Sequence, residues 1–312
     1  MTHEHSNLHH LQLPEGRQLA YAIYGDPQGT PVIYCHGFPG SRLEARLFEA
    51  AALHHHLRVI APDRNGLGAS DPLPGRRLLD WPSDVAALAD GLGIDRFHLI
   101  GVSGGGPYAL ACAHRLADRL NGVTLVCPLG PLDRGDNLWA MRWPAILNFS
   151  SIRTLPGFTH GLYRHWVVPF VKHHPQTIYN LMLSMVPPPD HQVLSRPQVR
   201  ETIVASLNES VRGGAEGVLQ EMAIYAAPWG FEPEAIDMPI ALWHGTADDT
   251  VPVKQGRELA QRLPDCSARY IEGEGHFSLP VDHMDEIVEA LLRGRNEVTR
   301  PDTHIAQGRN RR

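Results

Sequence analysis

The chain has 312 residues, 43% of them hydrophobic, and a formal net charge of −6. That length allows a core for one or two domains, and the acidic balance leaves no basic field to draw nucleic acid. No apolar run approaches the roughly 20 residues of a membrane span, and the polar start at residues 1–7 lacks the apolar segment of a signal peptide. The four cysteines, Cys35, Cys112, Cys127 and Cys266, show neither metal nor disulfide spacing. The first three lie inside apolar runs and read as small buried hydrophobes, which suits a reducing, cytoplasmic setting.

Residues 1–10 are polar and His-rich and read as a mobile end. Residues 11–13 and 18–24 read as strands joined by the turn Pro14-Glu15-Gly16-Arg17. A buried strand follows at 31–35 and ends in His36-Gly37-Phe38-Pro39-Gly40-Ser41. Residues 43–53 read as a helix and 57–61 as the next strand, which ends in Pro62-Asp63-Arg64-Asn65-Gly66-Leu67-Gly68-Ala69-Ser70. Residues 83–92 read as a helix capped by Ser83 or Asp80.

The apolar run 97–100 leads into Gly101-Val102-Ser103-Gly104-Gly105 and then a helical run at 108–116, with Pro107 in its first turn. A strand that turns sharply into a helix pushes its apex side chain outward and leaves no room for Cβ atoms two residues to either side. Here the apex is Ser103 and both flanks are Gly. A glycine-rich loop that merely bends would look similar, so the reading of Ser103 as a nucleophile rests on partners elsewhere. The phosphate-binding fingerprints fit poorly, because no Gly-Lys-Ser or Gly-Lys-Thr follows.

Residues 122–127 form another buried strand. Strands alternating with helices imply a mostly parallel sheet covered on both faces, with ligands at the carboxyl ends of the strands. From about 129 to 237 the alternation stops. This stretch carries Trp139, Trp143, Trp166 and Trp229, four of the six tryptophans, and has helical character. It reads either as a separate helical unit or as a cap over the strand ends, with Trp139, Trp143 and Phe277 as candidate walls of an apolar substrate pocket. Strand and helix signals resume at 239–243, 254–263, 268–271 and 284–292, and the basic tail reads as disordered.

A serine hydroxyl needs a base, and the base needs an orienting group. After the Ser103 turn, Asp248 follows one strand end and His276 the next, inside Gly-rich loops. Asp249 competes with Asp248 for the acid role, and Asp133 is a further possible acid. Backbone N–H groups at Phe38 and Gly104 are placed to hold an oxyanion.

His36-Gly37-Phe38-Pro39-Gly40, the Asp63–Ser70 loop, Gly101-Val102-Ser103-Gly104-Gly105, His244-Gly-Thr-Ala-Asp248-Asp-Thr-Val-Pro252 and Gly275-His276-Phe277 together resemble the α/β-hydrolase fold serine hydrolases. The resemblance covers roughly residues 15–130 and 237–292. It implies an α/β fold: a mostly parallel, doubly wound sheet with a helical cap inserted after the sixth strand. The core would be residues 1–130 and 237–295, the cap 131–236, and the tail 296–312. It also implies acyl transfer to Ser103, with His276 as base, Asp248 as its orienting acid, and neither metal nor organic cofactor. Asn65 stands where relatives usually carry Pro. Gly104 replaces a bulkier residue and implies a roomier site beside Ser103.

The expected substrate is a small or medium apolar carboxylic ester or lactone, with no nucleic-acid partner. Rivals on the same triad are carbon–carbon bond hydrolases for dienoic diketo acids and cofactor-free haloperoxidase-type perhydrolases. Epoxide hydrolases and haloalkane dehalogenases resemble the chain too but use an Asp nucleophile, which Ser103 argues against. The rival of another class is a non-catalytic ligand-binding protein that keeps the hydrolase shell.

Overall fold

Short aliphatic and β-branched runs bounded by glycine and proline become strands, and the computed structural model, which describes residues 7–133 and 135–293, joins eight of them in one sheet. They are β1 (His9–Gln12), β2 (Gln18–Gly25), β3 (Thr30–Cys35), β4 (Leu57–Pro62), β5 (Phe97–Val102), β6 (Leu120–Val126), β7 (Ile240–Gly245) and β8 (Cys266–Ile271). Their order across the sheet is β1-β2-β4-β3-β5-β6-β7-β8. β2 runs antiparallel to both β1 and β4, and every other pairing is parallel. β5 is buried at every position, as a central parallel strand with both faces covered must be.

Helices cover both faces. α1 (Glu49–His54), preceded by a 3₁₀ helix at Arg42–Phe48, packs on one face with α14 (Met284–Arg293), which follows the short α13 (Ser278–Asp282). There Phe48, Ala52, Ile287 and Leu291 meet Val32, Val59 and Ile100. α2 (Trp81–Gly91), α3 (Gly105–Arg115) and α12 (Val253–Arg262) cover the other face, where Trp81, Leu88, Tyr108 and Leu259 join Ile33 and Leu99. Successive residues of β3 thus enter opposite cores, as the two-residue strand period requires.

Between β6 and β7 the described residues build helices and no strand. These are α4 (Gly135–Trp139), α5 (Trp143–Thr154), α6 (Pro156–Leu162), α7 (Val168–His173), α8 (Pro175–Leu183), α9 (Pro188–Leu194), α10 (Pro197–Ser210) and α11 (Glu216–Tyr225). Buried polar bonds tie this insertion to the core. Ser41 N–H donates to Ser206 Oγ of α10 at 2.9 Å. Arg42 bridges Asp63 of the core and Glu209 of α10. Among the described residues no helix is long and apolar enough to cross a membrane.

Three local expectations change. His9 and His10 are not part of a mobile end, because β1 starts at His9 and pairs with β2, where the His9 ring stacks on Tyr21. The first half of the 43–53 helix tightens into the 3₁₀ helix, which Ser41 caps through Leu43 N–H. Of the two expected caps of α2, Asp80 stands at the N-cap position and Ser83 lies inside the helix, but the Asp80 carboxylate makes no capping bond because Arg77 N–H donates to it at 2.6 Å. Residues 1–6 of the His-rich end and the tail 296–312 lie outside the described residues.

Candidate active site

The turn between β5 and α3 holds Ser103 at φ 53°, a left-handed conformation that costs a non-glycine residue about 1–3 kcal/mol. The turn is closed by Ser103 N–H bonding to Val126 carbonyl at 2.9 Å and by the Ser103 carbonyl accepting from Gly106 and Leu129. A Cβ at Gly105 would fall 2.0 Å from the Cys35 carbonyl, and one at Gly101 would fall 2.7 Å from Ala109 Cβ. The glycines two residues to either side are therefore steric requirements of the turn.

The structure brings Ser103, His276 and Asp248 together. His276 Nε2 lies 2.9 Å from Ser103 Oγ, and His276 Nδ1 lies 2.7 Å from Asp248 Oδ2. The second oxygen of Asp248 accepts from Thr250 and Val251 N–H at 2.9 and 2.8 Å. Burial works against the Asp248 carboxylate. The charge of His276 and hydrogen bonds from His244 and His276 outweigh it and hold the carboxyl well below its ordinary range. Burial would likewise lower the His276 imidazole, but Asp248 in contact, with Asp190 and Glu44 nearby, raises it above its ordinary 6.5. Asp249 does not reach His276 and pairs with Arg142 at 3.4 Å. Asp133 lies in a separate crevice beside Trp229 and Pro233.

Phe38 and Gly104, the two expected oxyanion donors, face the same cavity as Ser103. The extra room expected beside Gly104 is absent. A Cβ there would meet the Tyr225 hydroxyl at 2.7 Å and Phe38 Cβ at 2.8 Å, so those side chains already occupy the space. Behind this loop lies a buried polar cluster. Arg64 donates to the His36 carbonyl at 2.5 Å and to the Gly37 carbonyl at 3.0 Å. Its charge is met by Glu221 of α11 at 2.9 Å, and Glu221 also pairs with Arg76. The Tyr225 hydroxyl lies 2.7 Å from Glu221 and 2.9 Å from the Gly104 carbonyl. Burial opposes ionisation of Glu221, yet the two guanidinium groups hold its carboxyl well below the usual range. On the loop's other side Gly37 N–H and the Tyr34 hydroxyl donate to Glu44. Burial raises the Glu44 carboxyl despite those bonds.

The residue-type pattern missed Asp190. It sits in the first turn of α9, fully buried, and its carboxylate accepts from His276, Phe277 and Ser278 N–H at 2.9, 2.8 and 2.8 Å. Nothing in the sequence around it beyond the preceding prolines marks it out. Arg64 stands inside a quoted motif, but Glu221 and Tyr225 carry no local signal.

Ser103 opens on a cavity of about 250 Å³, at the small end for ligand sites. Four methionines, Met141, Met182, Met185 and Met222, line it with Leu129, Phe149 and Val251. Trp139 and Trp143 do not. They are 68% and 70% exposed; at Trp143 this is because α5 turns Pro144, Ala145, Asn148 and Phe149 toward the cavity instead, whereas Trp139 ends α4. Phe277 also misses the cavity; it packs beside Tyr179 and Val193, with its ring edge-on to His276. Among the described residues, two groups place possible metal donors within 4.8 Å of one another: Cys127, Asp248 and His276, and His54, His55 and Asp285. In the first, the imidazole and carboxylate already bond to each other.

A parallel sheet, a strained serine turn after its central strand and an imidazole on that serine define the hydrolase class built on this fold. Residues 30–282 match the alpha/beta hydrolase fold family, and the chain belongs to it. The chain is 30% identical to haloalkane dehalogenase 2 of Mycobacterium bovis over 142 residues, 44% of this chain and 45% of that protein. It thus spans under half the length of that relative. It is 24% identical over 296 residues to a 2-hydroxymuconate semialdehyde hydrolase of Pseudomonas putida, covering 90% of this chain and 94% of that one. Among solved structures it is similar to a hydrolase from Pseudomonas aeruginosa PA01, with a TM-score of 0.68, 20% identity, and coverage of 92% of this chain and 98% of that one.

Proposed function

We propose that the chain is a serine hydrolase that cleaves a small-to-medium apolar carboxylic ester or lactone through an acyl-enzyme. The observation that carries this reading is the 2.9 Å contact between Ser103 Oγ and His276 Nε2 at the floor of an apolar cavity. In the first half-reaction Ser103 Oγ bonds to the carbonyl carbon while its proton passes to His276 Nε2. Asp248 holds the Nδ1–H tautomer and offsets the imidazolium charge. The Phe38 and Gly104 N–H groups hold the oxyanion. Arg64, which donates to the His36 and Gly37 carbonyls, braces that loop from behind. The intermediate collapses as His276 returns its proton to the leaving oxygen. Water then attacks the acyl carbon, His276 takes its proton, and Ser103 leaves reprotonated.

The lining favours an ester over the rivals. Arg142, a cation on the cavity wall, is tied to Asp249, so the carboxylate of a diketo acid would find little to meet its charge. A perhydrolase would release peracid among four thioethers, which oxidise to polar sulfoxides and would spoil the cavity. The semialdehyde hydrolase similarity keeps a carbon–carbon bond hydrolase as the second reading.

A fluorophosphonate, read by intact mass, tests the proposal. The wild type should gain one adduct, and Ser103→Ala and His276→Ala should gain none. In an ester panel both variants should lose on the order of 10⁴-fold or more in kcat. An unlabelled wild type that binds an apolar ligand without turnover would make it a binding protein.

A further inference from the structure

Exposed apolar residues are scattered singly on most soluble chains. Here they gather on one set of helices. α6, the π-helical turn Tyr163–Val167 and α7 form one continuous helical run. Its inner face buries Thr159, Tyr163, Val168 and Val171. Its outer face shows Phe158, Leu162, Trp166 and Phe170, which are 65%, 39%, 72% and 44% exposed. These four stand four residues apart. A four-residue stripe drifts around an α-helix of 3.6 residues per turn, and the wider π-turn brings it back. The result is one apolar ridge about 18 Å long at about 1.5 Å per residue. Trp143 and Leu147, on the side of α5 next to its cavity-lining residues, are exposed as well. The helix that lines the cavity with one side thus shows apolar residues on another.

The charge of the same stretch is as distinctive. Residues 137–189 contain no Asp or Glu, but carry Arg142, Arg153, Arg164, Lys172 and four histidines, in a chain of net charge −6. Arg142 and Arg164 pair with Asp249 and Glu216 from outside the stretch. Arg153 and Lys172 are exposed, and Lys172 donates to the Arg212 carbonyl. A second copy docked two-fold symmetrically would press this stretch on itself, basic against basic, with no acid in it to answer. An anionic lipid surface answers both halves, with headgroups for the cations and an interfacial zone for Trp and Phe.

We propose that the outer face of α5–α7 is a docking surface for an anionic lipid bilayer. The docking does not depend on hydrolysis.

The test mixes the full chain with vesicles of phosphatidylcholine alone or with phosphatidylglycerol, at low and high salt. Binding is read by co-sedimentation and by the blue shift of tryptophan emission. Wild type and Ser103→Ala should bind the anionic vesicles equally, bind phosphatidylcholine weakly, and lose affinity as salt rises. The double variant Phe158→Ser/Trp166→Ser should bind about tenfold or more weaker. Arg153→Gln should weaken binding roughly fivefold. All should melt at the wild-type temperature, since these side chains are exposed. Failure of the wild type to bind anionic vesicles would overturn the proposal, and so would equal binding by the double variant. A wild-type dimer that Phe158→Ser/Trp166→Ser converts to monomer would assign the face to a second copy instead.

Discussion

At the scale of single residues, the placement of His276 depends on a carboxylate from the insertion. Asp190 holds three successive amides of the His276 loop, and its charge is one of those raising the imidazole. His276 must be neutral to act as base, so kcat/KM should rise with pH through an inflection above 6.5, the group's ordinary value. Asp190→Asn keeps the shape, removes the charge and weakens the loop's anchor. We expect kcat to fall about 10–100-fold with KM little changed, and the inflection to move to lower pH. An unmoved inflection would make Asp190 a structural prop only. Ser103, Asp248 and His276 were legible because each sits at a strand end in a fixed chain order. Asp190 was not, because its partners are backbone amides 86 and more residues away and leave no residue-type pattern.

At the scale of elements, α11 is the joint between insertion and core. Glu221 and Tyr225, one turn apart, reach under the loop that carries Phe38 and complete the charge of Arg64 and Arg76. Glu221→Gln would leave two buried guanidinium groups without a counter-charge. It should cost about 3–5 kcal/mol of stability at neutral pH, read by chemical denaturation. The pH dependence has a definite sign. The folded carboxyl is held well below 4.5, its ordinary value, so its contribution is present above that pH and fades as pH falls below it. Wild type should therefore lose stability on acidification more steeply than Glu221→Gln, and parallel curves would contradict the assignment. The helical character of this region was legible from the sequence. Its facing was not: large aromatics are buried more often than shown, and Trp143 points to solvent because small residues and methionines already fill the cavity side.

At the scale of the whole molecule, the alternation of strands and helices was enough to read the parallel sheet, since each buried strand has its own local pattern. Contacts between the two halves carry no such pattern. They include Ser41 with Ser206, Arg42 with Glu209, and Arg64 with Glu221. Because these are buried, the insertion and the sheet should unfold together. Heating followed by tryptophan emission and by far-ultraviolet circular dichroism should give superimposable transitions, whereas an earlier emission change would mean that the insertion releases first.

The strand order bears on how the protein is made. β1 to β6 occupy one unbroken side of the sheet and are all complete by Val126, whereas β7, which covers the open side of β6, begins only at Ile240. A ribosome adding about 5–20 residues per second needs roughly 5–20 seconds to cross that gap. Through that interval a growing chain that has already folded its first six strands presents β6 as a bare, apolar edge, the kind that recruits neighbouring chains. It also has its serine turn in place before either Asp248 or His276 has been synthesised. The newborn protein therefore carries its bare edge while it is still chemically silent; the edge is covered when β7 arrives, and the silence ends only with the loop after β8 that brings His276.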